Sequence, residues 1–366
     1  MANIRILIAG GGTGGHVFPA IQIATYLKQK WGATCEFVGT RKGIEFLKVP
    51  QAGFILHTIW ISGLHRRLSP ANLLFPLKII ISIIQSRKLI KNFKPTLVIG
   101  TGGYVSGPVL FQAARLKIAC AIQEQNSYPG ITTRLLAARV DMVFLAYKEA
   151  LQYLKKVKNV FITGNPVLIP AANENRQEAL SFFDLEHAYM TLLVFGGSQG
   201  AANINRAVEA LVLSNGLPPY QIVWQTGARD FDYYSNKFRK LDKPHVHIYP
   251  FIDRMDLAYL VSDLAICRAG AMTISELAAF EVPAIFIPYP FAAANHQYKN
   301  AKSIVLRGGA LLLEDKPDLA ESLTEVVGSL LRSADQVSRM GKMMGQFHAP
   351  DALENMGNHL KRLVKV

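Results

Sequence analysis

Residues 4–16, Ile4-Arg-Ile-Leu-Ile-Ala-Gly-Gly-Gly-Thr-Gly-Gly-His16, decide the fold. A short run of β-branched and apolar residues that stops at glycine reads as a strand buried on both faces. The glycines at 10, 12 and 15 then satisfy GxGxxG. In that pattern the chain turns tightly, and the N–H groups and dipole of the helix it opens attract negative charge. One match of this kind is weak evidence. Two more turns of the same sort follow strands and precede helices: Gly100-Thr-Gly-Gly-Tyr-Val-Ser-Gly107 and Gly196-Gly-Ser-Gln-Gly-Ala201. A dinucleotide site does not need three such loops, whereas two half-sites facing each other across a domain cleft do.

Outward from these turns, strand and helix patterns alternate: a helix over 19–30, a strand over 34–38, a strand over 97–99 and a helix over 108–115. The alternation restarts after a turn-rich stretch, Gly164-Asn-Pro-Val-Leu-Ile-Pro170, which fits a linker. Strands are expected over 191–195, 221–225, 264–267 and 284–287, with helices over 202–212 and 274–280. The pattern predicts an α/β protein of two doubly wound parallel sheets, residues 1–163 and 164–349. A last basic helix within 350–366 is expected to pack back on the first domain.

Composition narrows the function. Of 366 residues half are apolar, enough for two cores and too many for a disordered chain. Three scattered cysteines without CxxC or Cys/His metal spacing suggest a reducing compartment. No stretch resembles a signal peptide, and the longest apolar run, 73–84, falls short of the roughly 20 residues that cross a bilayer. The net charge of +14 is one-sided: residues 1–163 hold 21 Lys/Arg against 5 Asp/Glu, and residues 164–366 hold 19 against 21. Such a basic half suits a polyanionic partner. No nucleic-acid module accompanies it, which favours an anionic membrane surface.

Within the second half, Arg268-Ala-Gly-Ala-Met-Thr-Ile-Ser-Glu-Leu277 links a strand to a helix. A carboxylate at Glu276 can accept hydrogen bonds from both hydroxyls of a ribose, or simply complement the helix dipole. Asn295, Gln297 and Asn300 place amides on a loop entering a helix, a residue type that reads sugar hydroxyls as donor and acceptor together. An NADP-linked oxidoreductase is the enzyme rival, since Gly39-Thr-Arg-Lys42 ends the second strand in basic residues while Glu36 lies before its end. It leaves residues 196–201 unexplained. A non-catalytic lipid-binding protein is the rival of another class.

The chain resembles the MurG family, the UDP-N-acetylglucosamine transferases that convert lipid I to lipid II in peptidoglycan synthesis. The residues that carry the resemblance are Gly11-Gly-Thr-Gly-Gly-His-Val-Phe-Pro19, Gly102-Gly-Tyr-Val-Ser-Gly-Pro108, Glu124-Gln-Asn126, Gly164-Asn-Pro-Val167, Gly196-Gly-Ser-Gln-Gly200 and residues 268–276, spread in order along nearly the whole length. The resemblance implies a GT-B fold, two Rossmann-like domains facing a cleft, with acceptor held by the first and UDP-sugar by the second. It implies that Ser198 and its loop hold the diphosphate, Ile252 the uracil edge, Ala271, Met272 and Thr273 the phosphate and sugar, and Glu276 the ribose. Gln297 and Asn300 would read the N-acetylglucosamine hydroxyls. Thr13, Gly14, Gly15 and Asn126 would complete the donor pocket from the first domain, and Gly102, Gly103 and Tyr104 would meet the acceptor. Two positions depart from the family pattern: Leu168 stands where arginine is usual, and His296 where a second glutamine is common.

Inverting transfer needs a base for the acceptor hydroxyl. His16 is the first candidate, because the positive end of the helix dipole beside it disfavours imidazolium. Glu124 is the second. Backbone N–H groups would meet the departing phosphate, so no obligatory metal is expected, and magnesium is at most stimulatory. Asp230-Phe-Asp232 spells DxD but reads as an acidic pair at a helix start. Leu73, Leu74, Phe75, Ile79, Ile80 and Ile83 are expected to dip into a membrane interface, bracketed by Arg66, Arg67, Lys78, Arg87, Lys88, Lys91 and Lys94. The implied setting is the cytoplasmic face of a bacterial inner membrane, with UDP-N-acetylglucosamine and lipid I as substrates and cell-wall synthesis proteins as neighbours.

Overall fold

A computed structural model describes residues 4–63, 73–167, 175–197, 200–292 and 295–364. The chain forms two compact units, Met1–Val167 with Ala349–Val366, and Leu168–His348.

In the first unit seven parallel strands are ordered β3-β2-β1-β4-β5-β6-β7. They are β1 (Arg5–Gly10), β2 (Thr34–Gly39), β3 (Ile55–Thr58), β4 (Leu97–Gly102), β5 (Ala119–Glu124), β6 (Met142–Leu145) and β7 (Val160–Ile162). The central strands are continuous apolar runs because helices cover both faces: β1 is buried from Ile6 onward, and β4 from Leu97 to Thr101. Around the sheet lie α1 (Gly14–Trp31), α2 (Glu45–Gln51), α3 (Phe75–Phe93), α4 (Gly103–Arg115) and α5 (Ile131–Leu136).

Helix α1 begins at Gly14, a turn and a half before the expected 19–30. Proline favours a first turn, but here Pro19 is interior, and Val17, Ala20, Ile23, Ala24 and Leu27 form the buried stripe. It ends at Gly32, whose φ of 61° supplies the left-handed cap. The terminal helix Ala352–Val364 belongs to this unit: Leu353, Met356 and Leu360 enter the same core as Ile23 and Leu27. A Cβ on Gly357 would stand 2.7 Å from the Tyr26 ring, so glycine lets that helix come close. Residues 164–167, expected to open a linker, belong to the first unit, where Asn165 and Val167 are buried.

The second unit has six parallel strands, ordered β10-β9-β8-β11-β12-β13. These are β8 (Met190–Phe195), β9 (Tyr220–Gln225), β10 (Val246–Tyr249), β11 (Leu264–Cys267), β12 (Ala284–Phe286) and β13 (Ala310–Leu312). Helices α6 (Arg176–Phe183), α7 (Ala202–Leu213), α8 (Ala228–Lys240), α9 (Met255–Val261), α10 (Ala271–Ala279), α11 (His296–Val305), α12 (Leu319–Leu331) and α13 (Ala334–Gly345) cover it, and the terminal helix is α14. Both sheets reverse their winding between the first strand and a later neighbour, β1/β4 and β8/β11. Open α/β sheets bind ligands at such switch points, beyond the carboxyl ends of the strands.

Candidate functional site

At the first switch point β1 and β4 pair Ala9 with Gly100 and, after a one-residue shift in register, Gly10 with Gly102, so the turns that follow them are neighbours. His16, in the first turn of α1, lies in that angle. Its Nδ1 is 3.1 Å from Thr13 Oγ1, and its backbone N–H bonds the Thr13 carbonyl. The imidazole packs against the start of α4: a Cβ on Gly102 would stand 2.5 Å from His16 Cδ2, and one on Gly103 would stand 3.3 Å from His16 Nδ1 and 2.3 Å from the Gly11 carbonyl. Gly102 and Gly103 have φ of 109° and 77°, which only glycine adopts readily. Expected as acceptor contacts, these two glycines thus seat the candidate base. Thr13 and Gly15 are exposed beside it, and Gly14 is half-buried. The Tyr104 ring closes over Gly12, where a Cβ would come within 2.9 Å, and burial pushes its hydroxyl pKa up.

Glu124 has a different task from the one expected. Its carboxylate accepts from the Asn126 N–H and Nδ2, the Gly130 N–H and the Thr133 hydroxyl, at 2.6–3.2 Å, and the residue is 4% exposed. With both oxygens engaged by four donors it fixes the loop from β5 to α5, and it is a poor acceptor for a substrate proton. That loop orients Asn126, which stays half-buried. Below it, Gln123, Gln125 and Asn165 interlock: Gln123 Nε2 donates to Asn165 Oδ1, Asn165 Nδ2 to the Gln125 carbonyl, and Gln125 Nε2 to the Thr101 carbonyl.

One pivotal residue here escaped the sequence reading. Glu45, fully buried at the start of α2, accepts from the Gly12 N–H, the Thr40 N–H and the Thr40 hydroxyl at 2.8–3.0 Å. It fills the space that side chains at 11, 39 and 43 would need, since a Cβ on each would fall 2.0–2.6 Å from its atoms. The signal was present as three glycines converging on one acid. Glu36, the acid noted in β2 before its end, pairs with His57.

At the second switch point Phe195 and Cys267 end β8 and β11 side by side. The turn after β8 has Gly197 and Gly200 at φ of 91° and 72°. Ser198 lies outside the described residues, as does Leu168. The turn after β11 opens α10 with Gly270 as its N-cap, which brings no side chain to cover the first N–H groups of Ala271, Met272 and Thr273. Ala271 and Met272 are buried, so they offer backbone; Thr273 is half-buried. One turn on, Glu276 keeps partial exposure and accepts from the Tyr259 hydroxyl at 2.8 Å. Burial raises its carboxyl pKa to about 7, against the lowering effect of that hydrogen bond.

Arg268 braces this end of the sheet. It donates to the carbonyls of Ile287 and Pro288 and to Asp315 Oδ2, and Asn203 at the start of α7 donates to the other Asp315 oxygen. Gln297 is half-buried, with its Oε1 on the Tyr289 N–H. Two expectations change. Asn300 is fully buried with Ala301 and Ile304 on the inward face of α11, so its amide is not presented to a ligand. Ile252 is a core side chain whose N–H is engaged by Gln225 Oε1, so its side chain is not presented to a ligand. Asp230 of the DxD sequence is engaged by Asn205 and Arg229, and no described His, Cys, Asp and Glu residues cluster in threes able to hold a metal.

Among the described residues no helix is long and apolar enough to cross a membrane. Helix α3 is instead turned inside out. Ser82, Ser86, Ile90 and Phe93 face inward, the serines returning their hydroxyls to the Ile79 and Ser82 carbonyls, while Leu73, Leu74, Leu77, Ile80 and Ile84 are exposed. Phe75, Ile79 and Ile83, expected on the outer stripe, are partly covered, and Leu77 and Ile84 take their place. Arg66 and Arg67 lie outside the described residues.

The sequence matches the glycosyltransferase family 28 N-terminal domain over residues 6–145 and the C-terminal domain of the same family over residues 191–356. The UDP-N-acetylglucosamine--N-acetylmuramyl-(pentapeptide) pyrophosphoryl-undecaprenol N-acetylglucosamine transferase of Ruminiclostridium cellulolyticum is 38% identical, covering 99% of this chain and 100% of its own. That of Christiangramia forsetii is 40% identical, covering 99% and 98%. The crystal structure of MurG from Acinetobacter baumannii superposes with a TM-score of 0.76 at 26% identity, over 98% of this chain and 99% of that one. A UDP-GlcNAc 2-epimerase from Neisseria meningitidis, at 14% identity and a TM-score of 0.71, shares the fold. With glycine-rich turns at both switch points and full-length relatives of one name, the chain belongs to the MurG family of N-acetylglucosamine transferases, within glycosyltransferase family 28.

Proposed function

We propose that this chain transfers N-acetylglucosamine from UDP-N-acetylglucosamine to the 4-hydroxyl of N-acetylmuramic acid in lipid I, with inversion, giving lipid II. The observation that carries the reading is the pairing at β8/β11. A glycine turn and an uncapped helix start lie side by side, with the Glu276 carboxylate one turn behind them. Diphosphate oxygens suit the N–H groups, and ribose hydroxyls suit the carboxylate. Gln297 is the sugar-reading amide of α11, and Ile252 offers its carbonyl to uracil.

In the reaction the 4-oxygen of the acceptor bonds to the anomeric carbon as its bond to the β-phosphate breaks, and UDP leaves with the electron pair. His16 takes the hydroxyl proton, held by Thr13 and the Gly102-Gly103 backbone. Fixed N–H dipoles at α10 and the 196–200 turn stabilise the charge that grows on the leaving diphosphate, with no obligatory metal. The exposed stripe on α3, flanked by Arg87, Lys88, Lys91 and Lys94, would rest on an anionic leaflet at the cytoplasmic face of the membrane, where the polyprenyl acceptor resides.

A transfer assay with UDP-N-acetylglucosamine and a short-chain lipid I analogue tests the reading. Disaccharide product is expected. Thermal stabilisation by NADPH but not by UDP, with no transfer, would overturn it in favour of an oxidoreductase.

A further inference from the structure

Gln225, the last residue of β9, joins two loops of the second unit. It is 3% exposed, and both ends of its amide are engaged by backbone: Nε2 donates to the Gly197 carbonyl at 3.1 Å, and Oε1 accepts the Ile252 N–H at 2.8 Å. The geometry follows from strand order. Strand β9 lies between β8 and β10, with Gln225 in register with Phe195 on one side and Tyr249 on the other. The amide therefore spans the turn that leaves β8 and the segment that leaves β10. Spanning a carbonyl and an N–H takes a donor and an acceptor on one neutral group, which a primary amide supplies. At Gly200 the turn has no room for a side chain of its own. Gly200 lies so close to the Thr226 carbonyl that a Cβ would be 2.1 Å away.

We propose that Gln225 is a positioning residue for the nucleotide, setting the distance between the diphosphate-holding turn and the base-reading segment so that the two ends of UDP are gripped together. The inference rests on the donor-site reading above. UDP joins its base to its phosphates through a flexible ribose ester, so a preset spacing between the two loops lowers the ordering cost of binding. Each end alone needs only its own loop. Loss of the tether then weakens the joined ligand far more than either fragment.

The test is calorimetric titration of the wild-type protein, Gln225→Met and Gln225→Glu with UDP, uridine and pyrophosphate, together with steady-state kinetics. Wild-type protein that fails to bind UDP would remove the donor-site reading itself, whatever Gln225 does. Given wild-type binding, Gln225→Met is expected to weaken UDP about tenfold while uridine and pyrophosphate change less than about threefold, with KM for the sugar nucleotide raised and kcat nearly kept. Gln225→Glu keeps an acceptor for Ile252 but turns an oxygen toward the Gly197 carbonyl. Protonation restores a donor there, so its UDP dissociation constant, taken as a ratio to wild type at each pH, should fall toward one as the pH is lowered from 8 to 6. Equal weakening of UDP and uridine, unchanged UDP affinity in both variants, or a ratio flat with pH would each overturn the proposal.

Discussion

Replacing Glu276 by glutamine should make the second unit more stable and a worse nucleotide binder at once. Burial lifts the Glu276 carboxyl pKa from the ordinary 4.5 to about 7. A group whose native pKa lies above its unfolded value takes up protons on folding. Its contribution is therefore fully present below about pH 4.5 and is lost as the pH rises through about 7. The interval corresponds to at most about 3 kcal/mol, and the part of the residue that remains in solvent reduces this to ~1–2 kcal/mol. Glutamine preserves the shape and an acceptor for the Tyr259 hydroxyl without the charge. At pH 8 the variant should gain that ~1–2 kcal/mol, roughly 3–6 °C in melting temperature for a unit of this size. At pH 5 the wild-type carboxyl is already protonated and the gain should shrink toward zero.

Binding runs the other way. The amide has one acceptor oxygen, already used by the Tyr259 hydroxyl, so it cannot accept from both ribose hydroxyls as well. Hydrogen bonds to charged groups are worth about 1.5–3 kcal/mol, so UDP affinity should drop about ten- to a hundredfold at pH 8. Wild-type affinity should itself decline as the pH falls below about 7, since the ionised carboxylate is the binding form. Differential scanning fluorimetry at the two pH values and calorimetric UDP titration suffice. A stability gain equal at pH 5 and pH 8, or unchanged UDP affinity, would refute the reasoning.

Removing the imidazole in His16→Ala should lower turnover at least a hundredfold while UDP affinity changes less than about twofold, as read by kcat and calorimetry. Gly102→Ala should mimic part of that loss, at least tenfold in kcat, because the new Cβ meets His16 Cδ2 at 2.5 Å and the φ of 109° suits only glycine. Glu45→Ala leaves the half-buried Gly12 and buried Thr40 donors without their acceptor and should cost about 3 kcal/mol in thermal unfolding of the first unit. Binding to anionic vesicles should weaken at least tenfold in Ile80→Glu with Ile84→Glu, and in the wild type should fade between low and high salt in a flotation assay.

Strand β1, strand β8 and the turns after them were legible because parallel central strands are near-continuous apolar runs and because positive φ leaves glycine in the sequence. The short strands β3, β7 and β13 were not, since three or four residues at a sheet edge carry no period to recognise. Proline misplaced the start of α1: it predicts a first turn, and the stronger demand, burial of Val17 on the sheet, began the helix five residues sooner. On α3 the apolar residues were correctly picked out as unusual, but their direction depended on Ser82 and Ser86. Small residues let α3 pack closely while their hydroxyls bond back to the helix carbonyls, so two polar side chains hold the inner face and leucine and isoleucine are left outside.

The site residues divide along the same line. Glycines 12, 102, 197 and 200 announce where the backbone must bend, which is a local demand and therefore visible. Glu45 and Gln225 answer needs created only after folding, when backbone groups far apart in sequence are brought together, and Glu124 answers one created when the loop that follows it folds back on it. A buried acid or amide in this protein is thus first a partner for orphaned backbone and only then a candidate for chemistry. Glu124 shows the consequence: it looked catalytic from its neighbours in sequence, and the four donors around it make it the post that holds Asn126 in place. His16 differs in its setting: its Nδ1 lies 3.1 Å from the Thr13 hydroxyl and its ring packs against the Gly102 backbone at the switch point, so the proton-accepting role proposed for it is separable from the loop-holding role of Glu124 by the two substitutions.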